Sequence, residues 1–233
     1  MTFSATLPPP VRLRALVHPD LADLLAVQRA CYGPGFVESA EVFARRLASP
    51  ANCSLVLERD GQVCAYLAAY RSALGKVTPL HGDFEAVPQA DTLYLHDMAV
   101  LPTCAGQGLA QALLKSVWDH AAAQGLRHTA LVSVQGSQTY WERHGYAQRP
   151  LVDAAQRERL ASYGAGAVYM ARAMVAAAIR PPCDNDMAAP RRSGRVAKSA
   201  QHLQECCPPP QAPRSATHPE SRATMFTGIV QAT

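Results

Sequence analysis

Residues 98–114 read MAVLPTCAGQGLAQALL, and the fold is decided there. The first three residues close the run LYLHDMAV (93–100), which reads as a strand over about 92–100. Pro102, which cannot donate to a sheet ladder, ends that strand. Gly106 and Gly108 then lead into a helix whose apolar positions Leu109, Leu113, Leu114, Val117 and Trp118 cover a broad face until Gly125 stops it. HTALVSV (128–134) reads as a second buried strand. A strand, loop, helix and strand in this order predict one parallel crossover.

The turn between strand and helix carries chemistry of its own. Successive backbone N–H groups in one concave turn, at the positive end of a helix dipole, make an anion cradle. Glycines suit it because a missing Cβ permits positive φ and close approach of phosphate oxygens. The alternative is an ordinary strand-to-helix turn. There is no G-x-x-x-x-G-K-[ST] and no full G-x-G-x-x-G at the first strand, so two familiar phosphate loops are excluded.

Towards the N-terminus, VRLRAL (11–16) alternates as a strand, and Pro19 opens a helix marked by Leu21, Leu24, Leu25 and Gln28. Gly33, Pro34 and Gly35 break it, and a second helix fits 39–48. Strands at 53–59 and 62–70 flank Asp60-Gly61, a dipeptide suited to a tight hairpin. Residues 71–91, with Gly75, Pro79, Gly82 and Pro88, read as a long connection of the kind that often borders a site. Beyond the crossover come a short helix (136–144), a variable stretch and a last strand (166–174). The class predicted is α/β: a mixed, mostly antiparallel sheet flanked by helices. Its span is 8–175, after a flexible N-terminus (1–7) and before a Pro-rich, disordered tail (176–233).

The 233 residues are 48% hydrophobic, enough for one sizeable core. Charged residues are 17% and the net charge is +4, too small to identify a nucleic-acid binder; the balance fits a small-ligand protein. Most of the basic excess lies in 180–233, where eight of the eighteen prolines also fall, which supports disorder there. The basic run PRRSGRVAK (190–198) is a second reading, as a nucleic-acid contact, against simple solvation. Seven cysteines show no C-x-x-C spacing and an odd count, so reduced thiols in a cytoplasm are expected. The start lacks a signal-peptide core, and the apolar run near 165–179 is interrupted by Arg172, so neither secretion nor membrane insertion is predicted.

The segment 98–114 resembles motif A of the GCN5-related N-acetyltransferase (GNAT) superfamily, V-x-P-x-x-[RQ]-x-x-G-x-[GA], through Val100, Pro102, Gly108 and Ala110. SQTYWERHGY (137–146) is similar to the family's motif B, and the order of elements agrees over about 11–174. The resemblance implies an acetyltransferase-like fold and acetyl-coenzyme A as cosubstrate. It implies that Ala105, Gly106, Gln107, Gly108, Leu109 and Ala110 hold the pyrophosphate. Met98 and Val100 would pair their main chain with the pantetheine arm, the Met98 N–H polarising the thioester carbonyl. Ala105 stands where the family has Arg or Gln, and its side chain cannot reach a phosphate. The final nine residues, MFTGIVQAT (225–233), resemble the start of riboflavin synthase, which suggests read-through into a neighbouring frame beginning at Met225.

The implied reaction is direct attack of a primary amine, small or peptide-borne, on the acetyl carbonyl, which needs a base for the ammonium proton. Alternation predicts that Tyr94, His96, Met98 and Val100 share one face, with Asp97 on the other as a structural residue. His96, with an ordinary pKa of about 6.5, is the candidate base, directly or through water. It matches the second of two histidines in arylalkylamine N-acetyltransferases; the alternative is a histidine satisfied by a carbonyl. The family's thiolate acid, a tyrosine, falls at Trp141, which leaves Tyr140 as candidate acid against core packing. Cys104 is read as a small loop residue rather than a nucleophile. No metal is expected, since the histidines lack ligand spacing. The loop 72–91 carries Lys76 against Asp83, Glu85 and Asp91, an acidic excess that would attract a cationic amine. A noncatalytic acyl-coenzyme A binding module is the rival reading, and a homodimer is left open.

Overall fold

The computed structural model describes residues 11–174. A mostly antiparallel sheet of seven strands runs in the order β1-β2-β3-β4-β5-β7-β6, with β4 and β5 as its parallel pair. The strands are β1 (Arg12–Ala15), β2 (Leu55–Arg59), β3 (Gln62–Ser72), β4 (Thr92–Val100), β5 (His128–Ser133), β6 (Ala147–Gln148) and β7 (Val168–Ala173). The helices are α1 (Leu21–Cys31), α2 (Ala40–Ala48), α3 (Leu109–Ala123), α4 (Gln138–Arg143) and α5 (Ala154–Ala161). The α/β class and the β4–α3–β5 crossover follow the sequence reading. The 149–167 stretch holds α5, which that reading passed over. Expectations for the N-terminus and the tail, including disorder, the basic run and the riboflavin-synthase-like segment, lie outside the described residues.

Local chemistry accounts for the boundaries. Asp60 and Gly61 adopt φ of 53° and 80°, so the β2–β3 hairpin closes through the predicted pair. Ser39 caps α2 by accepting from the Val42 N–H, and Asp153 caps α5 by accepting from the Ala155 N–H. Gly125, at φ 78°, terminates α3. In α3, Leu109, Leu113, Leu114 and Val117 are buried, whereas Trp118 is only partly so. β3 and β4 run through the centre, and every residue of β4 is buried.

One irregularity corrects the predicted faces. Ala68 pairs with Asp97 and Ala69 with Leu95, so His96 is an extra residue, a β-bulge in β4. Cross-strand partners share a face, and Tyr70 pairs with Tyr94 while Ala68 pairs with Asp97. Asp97 and Ala99 therefore lie on the face of Tyr94, and Met98 and Val100, partners of Leu67 and Ala65, lie on the opposite one. The expectation failed because strict alternation assumes an unbroken ladder.

Candidate active site

Two features meet along β4. The first is an open edge. Pairing between β4 and β5 ends at Leu95 with Leu131, while β5 continues beside β7 as far as Ser133. The Leu101 N–H donates to the Cys64 carbonyl on β3, so by alternation the main-chain groups of Val100 and Met98 point to the edge β5 has left. Two side chains at the end of α1 already touch that edge. The Tyr32 hydroxyl donates towards the Met98 carbonyl at 2.8 Å, and the Cys31 thiol towards the Val100 carbonyl at 3.2 Å.

At the far end of this edge lies the glycine loop. Gly106 and Gly108 have φ of 73° and 75°, and a Cβ at either would meet nothing within 4 Å. Ala105 donates to the Pro102 carbonyl and Ala112 to that of Gly108. Between them, the N–H groups from Gly106 through Gln111 find no main-chain acceptor among the described residues. Residues 105–108 are exposed, and the first turn of α3 holds no acidic side chain. The sequence reading named Ala105, Gly106, Gln107, Gly108, Leu109 and Ala110 here; the donor row omits Ala105, whose N–H is used internally. A run of amides without main-chain acceptors at a helix N-terminus fits a phosphate-bearing group.

The second feature is a buried polar cluster beside the bulge. His96 Nε2 stands 3.2 Å from Glu38 Oε2, and both side chains are at most 2% exposed. Glu38 also takes both terminal nitrogens of Arg46, at 2.5 and 2.6 Å, and the His81 N–H at 2.9 Å. Arg46 lies over the rings of Phe43 and Phe84. Burial alone would raise the Glu38 carboxyl, but His96 and Arg46 outweigh it and hold the group well below the usual carboxylate range. Burial lowers the His96 pKa, reinforced by the Arg46 charge and opposed by Glu38, which favours the neutral ring.

An ionised Glu38 only accepts, so the Nε2 contact places the ring hydrogen on Nε2 and leaves Nδ1 as the basic atom. Nδ1 faces the Tyr163 hydroxyl at 3.5 Å, which donates to the Thr78 carbonyl at 2.7 Å. His96 is thus satisfied by a carboxylate, not by the carbonyl considered from sequence. Asp97 accepts from Tyr32 at 2.6 Å and from Tyr66, and Gln28 links it to the Glu38 N–H. Burial and the Glu38 charge raise the Asp97 pKa against the tyrosine hydrogen bonds. Asp97 lies on the His96 face rather than the opposite one.

The long 71–91 connection and the α5 region interlock over His96. Val77 N–H donates to Gln156, Leu80 N–H to Ser162, and Arg159 reaches both the Val77 carbonyl and Glu85. The acidic excess of that connection is compensated within the fold. Asp83 pairs with Arg45, Glu85 with Lys76 and Arg159, and Asp91 with Arg127. Its charge therefore gives little attraction for a cationic amine. Tyr140 sits on α4, its ring 4.7 Å from His144 and 5.0 Å from Trp141, and burial pushes its hydroxyl up to about 12. Trp141 is fully buried with its indole N–H unpartnered.

Glu38, Arg46 and Tyr163 were missed from sequence. Glu38 and Arg46 straddle a helix start at a spacing no local pairing rule covers, and Tyr163 lies in the unassigned stretch. Among the described residues, no group of three or more metal-ligating side chains occurs and no helix is long and apolar enough to cross a membrane.

The acetyltransferase (GNAT) family profile matches residues 21–146, and leaves the resemblance of 225–233 without support. No curated protein sequence matches the chain. The structure is similar to the ribosomal-protein-S18-alanine N-acetyltransferase from Escherichia coli, at 19% identity and a TM-score of 0.54, over 74% of this chain and 99% of that one. It is similar to N-acetylglutamate synthase from Neisseria gonorrhoeae, complexed with coenzyme A and N-acetyl-glutamate, at 18% identity and a TM-score of 0.56, over 71% of this chain and 35% of that one. It is also similar to the GphF GNAT-like decarboxylase in complex with isobutyryl-CoA, at 18% identity and a TM-score of 0.55, over 70% of this chain and all (100%) of that one. At such identities the likeness is one of fold.

Proposed function

Because the chain belongs to the acetyltransferase (GNAT) family, we propose that it moves an acetyl group from acetyl-coenzyme A to a primary amine, in a ternary complex and without a covalent enzyme intermediate. The observation that carries this reading is the row of unpartnered N–H groups from Gly106 to Gln111, continuous with the open edge of β4. Bound acetyl-coenzyme A supplies a thioester carbonyl open to amine attack. The loop amides hold its pyrophosphate, and the Met98 and Val100 main chain aligns the pantetheine arm as an added strand. The Met98 N–H would donate to the thioester carbonyl oxygen as negative charge develops there.

A neutral His96 takes the ammonium proton at Nδ1, while Glu38 fixes the tautomer by accepting from Nε2. Since the ring is sealed, Nδ1 exchanges protons through the Tyr163 hydroxyl or after the interlocked 71–91 and α5 segments part. Tyr140 is the candidate proton donor to the leaving thiolate. A thiol with a pKa of about 8.5 also leaves without full protonation, so Trp141 in the family's tyrosine position does not block the reaction.

The test is release of free thiol from acetyl-coenzyme A across a panel of amines and peptides, with mass confirmation of the acetylated product. Coenzyme binding with no transfer to any amine would instead favour the noncatalytic acyl-coenzyme A binding module.

A further inference from the structure

The glycine loop, LPTCAGQG (101–108), has no charged side chain of its own. A cation nevertheless stands beside it. Arg59, the last residue of β2 before the hairpin turn, sends its guanidinium to the loop from two strands away, since β3 separates β2 from β4. Its Nη2 donates to Gln107 Oε1 at 2.6 Å and its Nη1 lies 3.9 Å from Cys104 Sγ. Its Nε is buried without a partner. Arg14, on the adjacent strand β1, is by contrast paired with Asp20 and Glu58. Among the described residues no carboxylate pairs with Arg59.

The placement is electrostatically unfavourable as it stands. Arginine offers only donors, the amides from Gly106 to Gln111 offer only donors, and the α3 N-terminus is the positive end of its dipole. A cation at that end opposes the dipole, and one neutral amide oxygen from Gln107 compensates a guanidinium only in part. An anion bearing several oxygens would satisfy all of these donors together.

We propose that Arg59 is the charged partner of the coenzyme A pyrophosphate, supplied by β2 to a loop that has none. The planar fork of arginine matches two phosphate oxygens, so the contact adds orientation as well as charge. Gln107 holds the guanidinium against the loop until the anion arrives, then turns its own amide N–H towards it. This inference rests on the coenzyme A reading of the loop and adds a positioning group from outside it.

Calorimetric titrations of the full chain test it, with wild type, Arg59→Gln and Arg59→Lys, each against coenzyme A and 3′-dephospho-coenzyme A, beside melting curves without ligand. Arg59→Gln is expected to weaken both ligands by about 10- to 100-fold, the worth of a charged hydrogen bond. Arg59→Lys should fall between. The unliganded Arg59→Gln protein should melt no lower than wild type, because a cation has been removed from a helix N-terminus. A loss for coenzyme A alone would transfer the contact to the 3′-phosphate and overturn the proposal. Unchanged affinity for both ligands, or a large fall in the unliganded melting temperature, would also overturn it. Wild type that binds neither ligand would defeat the coenzyme A reading itself.

Discussion

Substituting Gly108 separates what the backbone requires from what the ligand requires. Gly108 has φ 75° and ψ 9°, the left-handed region, directly before α3. A Cβ there meets no atom within 4 Å, so a side chain causes no clash inside the protein. The cost in the free protein is conformational: about 1–2 kcal/mol for an ordinary residue, and more for a β-branched one. Against a typical domain stability of about 5–15 kcal/mol, Gly108→Ala and Gly108→Val should remain folded, with melting lowered by a few degrees. Asparagine tolerates the left-handed region, so Gly108→Asn should melt closest to wild type.

Binding should follow a different order. If phosphate oxygens lie against the amides of this turn, any Cβ forces them back, and each charged hydrogen bond lost costs about 1.5–3 kcal/mol, or roughly tenfold or more in affinity. Calorimetry with acetyl-coenzyme A should therefore show weaker binding for all three variants, Val most and Asn despite its near-normal stability. A folded Gly108→Val protein with unchanged affinity would remove this loop as the pyrophosphate site. Affinity that merely tracks melting temperature, with Asn unaffected, would show that the loop's conformation matters but that no ligand occupies the space beside Gly108.

Other outcomes follow from the buried cluster and the tail. His96→Gln should lower turnover by about 10²-fold or more while leaving coenzyme affinity nearly unchanged, and the defect should shrink with an amine of low pKa; equal defects for all amines would make His96 structural. Because burial lowers the His96 pKa, the unfolded chain takes up a proton that the folded one refuses. Wild-type stability should thus be fully present above about pH 6.5 and decline below it, a slope that melting curves should find reduced in His96→Gln. Glu38→Gln should cost about 3–5 kcal/mol by leaving Arg46 charged and buried, and Arg46→Met in the same chain should restore part of that; a loss under about 1 kcal/mol would mean the pair is no stronger than a surface bridge. Truncation after Ile179 should leave melting and coenzyme affinity unchanged, and a large loss of either would show that the tail packs or functions.

What could be read from the chain was what local rules encode. The Asp60-Gly61 turn, the Pro102 stop and the glycine-to-helix transition each act within a few residues, so the hairpin, β4 and α3 were placed to within two residues or so. The loop residues of the candidate site came with them. The acceptor side was not legible in the same way. Glu38 touches His96 from 58 positions away, and Tyr163 does so from 67. Nothing local requires that a glutamate before a helix cap be buried, or that an arginine in the last turn of that helix reach back to it. Arg59 carries no local signal either, since its contact with Gln107 spans 48 positions.

The bulge at His96 ties the two halves of the site together. Regular pairing with β5 ends at Leu95, the residue before it, and the offset it introduces moves Met98 and Val100 to the other face. One inserted residue therefore coincides with both requirements of the proposed reaction. It accompanies the opening of the strand edge where a thioester arm could add, and it sets a histidine towards Glu38 at the point where that edge begins. Restoring the ladder would return Met98 and Val100 to the His96 face and disturb both sites together, which makes the irregularity part of the proposed mechanism rather than a packing defect.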